Sequence, residues 1–165
     1  MFPLHPSTPP EGLSLEALFG SRVDIAAMRR HMENLMKAEG LSYGHRTHTY
    51  NTRRAQELAK WADRQSGGGG IHAALYQAYF IDGINLDDVD RLLAIAASSG
   101  LNSAEARVML EERSEQANVE ADWSQARSLG VTGVPTFVAN NVLVVGAQPY
   151  DVLEQLILQA GAQLR

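Results

Sequence analysis

The chain has 165 residues, 45% of them hydrophobic and 20% charged, and its 19 acidic and 14 basic residues give a formal net charge of −5. This length suits one domain with a substantial core, and the acidic balance argues against nucleic acid or an anionic membrane as a partner. There is no cysteine, which excludes disulfides, thiolate metal ligands and cysteine nucleophiles within these residues.

The sequence also carries no targeting or membrane signal that we can identify. No apolar run approaches the roughly 18–20 residues that span a bilayer. The opening "MFPLHPSTPPEG" has no basic segment followed by an apolar one, as a secretory signal would. We therefore expect a cytoplasmic protein.

The first forty residues predict an extended lead-in followed by two helices. Residues 1–12 contain four prolines and one glycine, which disfavour a helix. A short helix is predicted over 14–20, closed by Gly20. Asp24 is a suitable N-cap for a second helix ending at Gly40. Its apolar residues recur at helical spacing: Ile25, Met28, Met32, Leu35 and Met36.

The middle of the chain predicts mostly helix. Residues 41–50 alternate polar and aromatic side chains and are expected to be extended, and the glycine-rich 66–70 to form a flexible break. Asn51 is a suitable N-cap for the next helix, which places Ala55, Leu58, Ala59 and Ala62 on one face. Further helices are predicted over 71–80, 86–100, 103–113 and 115–130, with Asp87 and Ser103 marking two of their starts.

After residue 130 the hydrophobic period changes to that of strands. The runs "PTFVA" (135–139) and "VLVVG" (142–146) are separated by Asn140 and Asn141, two residues that tolerate positive φ in a tight hairpin. The final helix is predicted over 149–164, with Pro149 near its first turn. Because a lone hairpin is marginal in water, we expect other structure to cover its faces and edges.

The Val134–Pro135 dipeptide opens the first of these strands, although proline cannot donate a ladder hydrogen bond. One interpretation is an ordinary trans bond at an edge strand, since only about 5% of X–Pro bonds in folded proteins are cis. The other is a cis proline that presents the backbone of Val134 to an extended peptide or a thiol ligand. The residues themselves leave both interpretations open.

Charged and histidine residues elsewhere do not form a site. His45 and His48 lack carboxylates at ligand spacing, so we expect solvated loop histidines and no metal site. Arg53 and Arg54 follow a helix start and are expected on a solvated face, with anion binding as the less favoured alternative.

The remaining patterns favour structural roles. The acidic residues near 87–90 suit the macrodipole of a first helical turn. The glycine run lacks the Lys-Ser/Thr of a phosphate loop, and no serine lies in a nucleophile motif. Four aromatic residues at helical spacing are expected in the core: Trp61, Tyr76, Tyr79 and Phe80. No catalytic constellation stands out.

Several segments, taken in order, resemble the DsbA-like thioredoxin-fold family and are closest to its FrnE subgroup. The block "GVTGVPTFVANNVLVVGAQPYDVLEQLI" is similar to that subgroup's cis-proline strand, hairpin and "GAQP" before the last helix. "NTRRAQELAKWADRQ" and "HAALYQAYFIDGINLDDVDRLLAIAASSGL" resemble its helical insertion. "FPLHPSTPPEG" resembles the end of its second strand and the following loop. The resemblance covers nearly all of the chain.

This resemblance implies an α/β thioredoxin-like fold with an inserted helical subdomain. It implies that Pro135 is a cis proline and that the backbone of Val134 pairs with substrate. Gly133, Thr136 and Asn51 complete the implied substrate-binding residues.

The resemblance also implies that 1–165 is a single, incomplete domain. Residues 14–129 form its mainly helical region, and 130–165 its C-terminal β-β-α part. In the family, a strand and a helix carrying Cys-x-x-C, or a serine in glutathione-dependent relatives, precede the segment that resembles Met1 onward. We expect these to be absent from the chain, which would leave the hairpin without its neighbouring strand.

Three functions follow as alternatives, and whether the chain is an enzyme stays open among them. The first is a thiol–disulfide oxidoreductase family member that retains the cis-proline wall but, without cysteine, performs no redox turnover; its partner would be a thiol- or disulfide-containing peptide or small thiol. The second is a glutathione-dependent isomerase of the 2-hydroxychromene-2-carboxylate isomerase type. The third is a non-catalytic module that self-associates as a homodimer or larger assembly. No cofactor is expected except glutathione in the second alternative.

Overall fold

The structure is a computed structural model that describes residues 1–163. These residues contain eight α-helices and four strands: β1 (Leu13–Ser14), α1 (Leu15–Phe19), α2 (Ile25–Ala38), β2 (His48–Thr49), α3 (Arg53–Ala62), α4 (Ile71–Phe80), α5 (Val89–Ser98), α6 (Ser103–Glu112), α7 (Gln116–Ser128), β3 (Thr136–Ala139), β4 (Val142–Val145) and α8 (Tyr150–Gln159). β1 pairs with β2 and β3 with β4, both antiparallel. The expected order of helices, then a hairpin, then a helix is confirmed.

The chain divides into two compact units. We call His5–Val119 the helical unit, and Met1–Leu4 together with the chain from Glu120 onward the hairpin unit. The helical unit contains β1, β2 and the helices up to α6. The hairpin unit contains β3, β4 and α8.

The core of the helical unit is built from α3 to α6. The predicted face of α3 is buried, since Ala55, Leu58, Ala59 and Ala62 are at most 4% exposed. Trp61 and Tyr79 are also buried, and Phe80 packs against the same core. Tyr76 was expected there too, but it is 66% exposed and stacks on Phe80 at the surface, because α4 buries the face formed by Ile71, Leu75, Ala78 and Tyr79.

Helix starts follow the predicted capping chemistry with small shifts. Asp24 accepts a hydrogen bond from the backbone N–H of Ala27 and caps α2 as expected. The cap of α5 is Asp88 rather than Asp87, and α5 begins at Val89. Asn102 caps α6, so Ser103 is its first helical residue. The observed helix starts differ from the predicted ones by only one to a few residues, because neighbouring polar residues can each occupy the cap position.

Three segments depart from the sequence prediction. Of residues 41–50, only His48 and Thr49 form a strand. The glycine-rich segment is a defined turn that includes a 3₁₀ helix over Gly68–Gly70, rather than a flexible break. The last helix ends at Gln159, with Gly161 at φ +96°, because glycine adopts this backbone conformation readily. The predicted end of that helix, residue 164, lies outside the described residues.

The helical unit also buries two carboxylates, each with partners. Glu57 is fully buried, and its two oxygens accept hydrogen bonds of 2.8 and 2.6 Å from the guanidinium of Arg113. Glu115 is 4% exposed and accepts hydrogen bonds from Arg64 and Asn118. These pairings meet the requirement that buried charges be paired and hydrogen-bonded.

Among residues 1–163, none of the helices combines the length and the apolar character that a bilayer span requires.

Candidate functional site

The β3–β4 hairpin positions the Val134–Pro135 dipeptide. Thr136 lies opposite Val145 and Ala139 opposite Val142, which leaves Asn140 and Asn141 as a two-residue turn. Asn140 has φ +52°, whereas Asn141 is outside the positive-φ region, so one of the two asparagines uses the conformation expected for both. The turn thereby fixes the register of the strand that Pro135 opens.

Pro135 continues the ladder of hydrogen bonds through its carbonyl, since proline has no N–H to donate. The Val134–Pro135 bond is cis. The carbonyl of Pro135 accepts a hydrogen bond of 2.8 Å from the N–H of Gly146, and the carbonyl of Gly133 accepts one of 2.6 Å from the hydroxyl of Thr136. A proline can therefore stand at this position, because the ladder needs only its carbonyl.

The backbone groups of Val134 are not part of the hydrogen-bonded ladder. The residue as a whole is 52% exposed. Within residues 1–163, neither its N–H nor its C=O makes a hydrogen bond. One backbone donor and one backbone acceptor therefore remain available just before the start of β3, and such groups can pair with an extended chain.

The same edge continues along β3. Residues in an antiparallel pair alternate between facing the partner strand and facing away from it. Since Pro135 bonds to Gly146 across the hairpin, Phe137 and Ala139 face β4, and the N–H and C=O groups of Thr136 and Val138 point to the opposite edge. In the described part of the chain, no backbone hydrogen bond joins that edge to another segment.

The segment that carries this edge has no charged side chain. Residues 128–150 contain no Asp, Glu, Lys, Arg or His. Phe137 and Val138 are 37% and 42% exposed. Extended apolar segments of a ligand would suit such a surface better than a charged group.

The outer edge of β4 differs, because a side chain occupies it. The side-chain amide of Gln148 donates a hydrogen bond of 2.8 Å to the carbonyl of Val145. The sequence analysis did not single out Gln148. The sequence feature that could have identified Gln148 is its position three residues beyond the end of β4. From there its long side chain can fold back so that the amide reaches the last carbonyl of the strand.

Asn51 belongs to the helical unit, whereas Gly133–Thr136 belongs to the hairpin unit. Its side-chain nitrogen donates to the carbonyls of Pro6 and Thr8 at 3.2 and 3.1 Å, and its side-chain oxygen accepts from the N–H of Arg53 at 3.0 Å. The first residue outside α3 is Thr52, so Asn51 supports the helix start from one position earlier. Its amide ties the proline-rich segment to the start of α3.

A second asparagine, which the sequence analysis missed, makes a similar connection. Asn85 donates a hydrogen bond of 2.7 Å to the carbonyl of Pro10 and accepts one from the N–H of Asp87. Prolines lack an N–H, and these two amides supply donors to carbonyls of the proline-rich segment. The signal in the sequence was an asparagine placed just before a helix, as at Asn51.

Two of the other residues considered from the sequence, His45 and Arg54, lie beside polar groups of the chain. His45 contacts Arg29, and Arg54 donates to the carbonyl of Asp87. Among residues 1–163, no cluster of three or more His, Asp or Glu is arranged to hold a metal ion. Two open grooves of the helical unit, of about 420 and 670 Å³, lie beside Ala104 and Val108.

Known proteins resemble this chain in sequence and in fold. The DsbA-like thioredoxin domain matches residues 1–158 of the chain. The uncharacterized Bacillus subtilis protein YwbO is 31% identical over 98 residues, which are 59% of this chain and 49% of that protein. The match thus spans about half the length of that curated relative.

Solved structures show the same fold. A probable DsbA oxidoreductase from Streptomyces coelicolor is 28% identical, with a TM-score of 0.82 over 99% of this chain and 76% of that one. The cytosolic disulfide reductase DsbM from Pseudomonas aeruginosa is 21% identical, with a TM-score of 0.51 over 78% of this chain and 67% of that one. The second likeness concerns the fold alone.

Proposed function

The chain belongs to the DsbA-like thioredoxin family, and from this premise we propose that it is the substrate-holding portion of a thiol–disulfide oxidoreductase. The ligand is an extended peptide, or a small molecule, that carries a thiol or a disulfide. Gly133, Val134, Pro135 and Thr136 form the wall that holds it. We place the chain in the FrnE subgroup, on the ordered motifs of its hairpin and helical region.

One observation carries the proposal: the backbone N–H and C=O of Val134, an exposed residue, have no partner within residues 1–163. Two backbone hydrogen bonds to an extended ligand would satisfy both groups. Such bonds position a ligand without selecting its side chains. Thr136 supports the wall, because its hydroxyl is already bonded to Gly133.

The attack on sulfur requires a group from outside these residues. In thiol–disulfide exchange a thiolate bonds to one sulfur of the disulfide, the S–S bond breaks, and the other sulfur leaves as a thiolate. The 165 residues contain no cysteine. They therefore contribute the position of the substrate, and the attacking thiolate comes from elsewhere.

A titration followed by NMR tests this role. The probe is an extended peptide whose single cysteine is capped as a methyl disulfide, which is stable here because the protein has no thiol. We expect the largest shift changes in the amides of Gly133, Val134 and Thr136. Substitution Val134→Ala keeps the backbone donor and should change the affinity by no more than about threefold, whereas Val134→Pro removes the donor and should weaken binding about tenfold.

The hairpin must be intact in both variants, which cross-strand contacts between Phe137 and Val144 report. Peptide-induced shifts confined to the helical unit would contradict the proposal. So would an equal loss of affinity in Val134→Ala and Val134→Pro, because the side chain would then carry the interaction.

A second candidate uses the same unpaired backbone. A glutathione-dependent isomerase of the 2-hydroxychromene-2-carboxylate isomerase type would hold the cysteinyl unit of glutathione against Val134. Titration calorimetry separates the two: saturable binding of reduced glutathione, weakened by Val134→Pro, favours the isomerase. No heat with glutathione, together with binding of the capped peptide, favours the oxidoreductase.

A further inference from the structure

We infer that a groove along α6 of the helical unit docks a basic amphipathic helix of another protein. This groove, which we call the α6 groove, has a volume of about 420 Å³, and its lining includes Trp61, Glu105, Val108, Met109 and Glu112. All of these residues belong to His5–Val119. The inference therefore depends neither on the hairpin unit nor on the ligand role proposed for Val134.

The α6 groove has an apolar floor. Trp61 and Met109 are core residues, 8% and 4% exposed, and both contribute to its lining. Val108 lines the same groove and is 52% exposed. Covering an apolar side chain that is this exposed removes apolar surface from water, which favours association with a partner.

The shape around Val108 suits a helix. Ala104 and Val108 are four residues apart on α6, and both are exposed. They line the α6 groove, towards Trp61 of α3, and also a second groove of about 670 Å³, towards Leu93 and Ala97 of α5. A ridge of residues four apart with a groove on either side is the surface on which another helix packs.

Two carboxylates give the α6 groove its charge. Glu105 lies three residues before Val108, and Glu112 four residues after it. In the described part of the chain, neither carboxylate takes part in an ion pair. Glu105 accepts a hydrogen bond of 2.7 Å from the side-chain amide of Asn102, which is neutral and leaves the charge in place.

The two arginines of this segment are paired with other carboxylates. Arg107 makes ion pairs with Asp90 and Glu111, and Arg113 makes one with Glu57. The α6 groove therefore combines two negative charges with an apolar floor. Its complement is a helix that carries basic and apolar residues on one face.

The positions of these side chains specify the pattern of the partner helix. Seven residues of α-helix rise about 10.5 Å, which is the spacing of Glu105 and Glu112 along α6. An antiparallel helix with basic residues at i and i+7 and an apolar residue at i+4 places its charges beside the two carboxylates and its apolar side chain beside Val108.

Fluorescence anisotropy with two labelled peptides tests this docking. The probe is a helical peptide with arginine at i and i+7 and leucine at i+4. The comparison peptide has the same composition, but its arginines lie on the opposite face of the helix. We expect the full chain to bind the probe at least about tenfold more tightly than the comparison peptide, because only the probe presents charge and apolar surface together.

Variants of the chain locate the binding surface. The double variant Glu105→Gln, Glu112→Gln should weaken binding of the probe about tenfold, and Val108→Ser about fivefold. The matched control is Glu16→Gln, Glu39→Gln, which removes the same charge from exposed positions on α1 and at the end of α2. It should change the affinity by no more than about twofold. Thermal unfolding verifies that each variant is folded.

Equal affinity for the two peptides, or equal losses in the two double variants, would overturn the inference, because the attraction would then be general to an acidic protein. Failure of the probe to bind below about 1 mM would overturn it as well. Sedimentation equilibrium covers a different occupant: a wild-type dimer that Val108→Ser dissociates would assign the groove to a second copy and reject the basic helix.

Discussion

At the scale of single residues, the buried ion pair of Glu57 and Arg113 shows how the loss of one partner can destabilise a fold. Glu57 is fully buried, while the side chain of Arg113 is 31% exposed and reaches it with two hydrogen bonds. Arg113 stands at φ +55°, directly after α6, and this conformation ends the helix. Removing one partner leaves a buried charge without compensation, and that loss costs more than the pair contributes.

We expect Arg113→Met to lower the free energy of unfolding by about 3–5 kcal/mol. The double variant Glu57→Met, Arg113→Met removes both charges and should recover most of that loss. Urea unfolding followed by circular dichroism measures both. A loss below about 1 kcal/mol in the single variant would show that water or another group compensates Glu57.

At the same scale, the family resemblance implies that Val134 and Asn51 both bind substrate, but the two residues have different hydrogen-bond partners. Val134 has no backbone partner within residues 1–163, whereas the amide of Asn51 bonds to Pro6, Thr8 and Arg53. The proposal for ligand binding therefore depends on Val134. The role of Asn51 in binding stays a prediction.

At the scale of elements, two neighbouring glycines in the turn before α4 differ in how much space they have for a side chain. Gly68 is buried, and a Cβ on it would overlap the carbonyl of Ala62. Gly69 is exposed, and a Cβ there would meet no atom. The first glycine is required by close packing of two backbone segments, and the second is not.

Gly68→Ala should therefore lower the free energy of unfolding by about 1–3 kcal/mol, because the turn must move away from α3. Gly69→Ala is the matched control and should leave it unchanged or raise it by about 0.4–1 kcal/mol, since alanine restricts the unfolded chain. Thermal unfolding of the two variants side by side checks this. Equal stability would mean that the turn yields without cost.

At the scale of the whole molecule, the family relationship and the composition give opposite expectations for activity. The chain has the DsbA-like fold over residues 1–158, but it contains no cysteine to supply a thiolate. We propose that binding and redox chemistry are separable in this protein.

We accordingly expect the 165-residue chain to add nothing to the rate at which dithiothreitol reduces insulin, while it still binds the capped disulfide peptide. Turbidity of the precipitating insulin chains measures the first, and NMR titration the second. The Val134→Pro variant is the control for specific binding. Faster insulin reduction than in the protein-free reaction would reject the separation.

Much of the local structure was predictable because it depends on neighbours in sequence. The cap at Asp24, the buried face of α3 and the β3–β4 hairpin all follow from short-range patterns of polar and apolar residues. The errors occurred where a choice between adjacent positions depends on packing, as at Asp87 and Asp88. Tyr76 was misplaced because helical spacing alone does not say which face of α4 is buried.

The sequence by itself determined the family, the order of the elements and the absence of a thiolate, because motifs and composition do not depend on the folded arrangement. Only the tertiary structure decided which backbone groups remain unpaired. The sequence alone shows that Val134 precedes a proline and that Asn51 precedes a predicted helix. Which of them has a free hydrogen-bonding group depends on the segments that folding brings beside it.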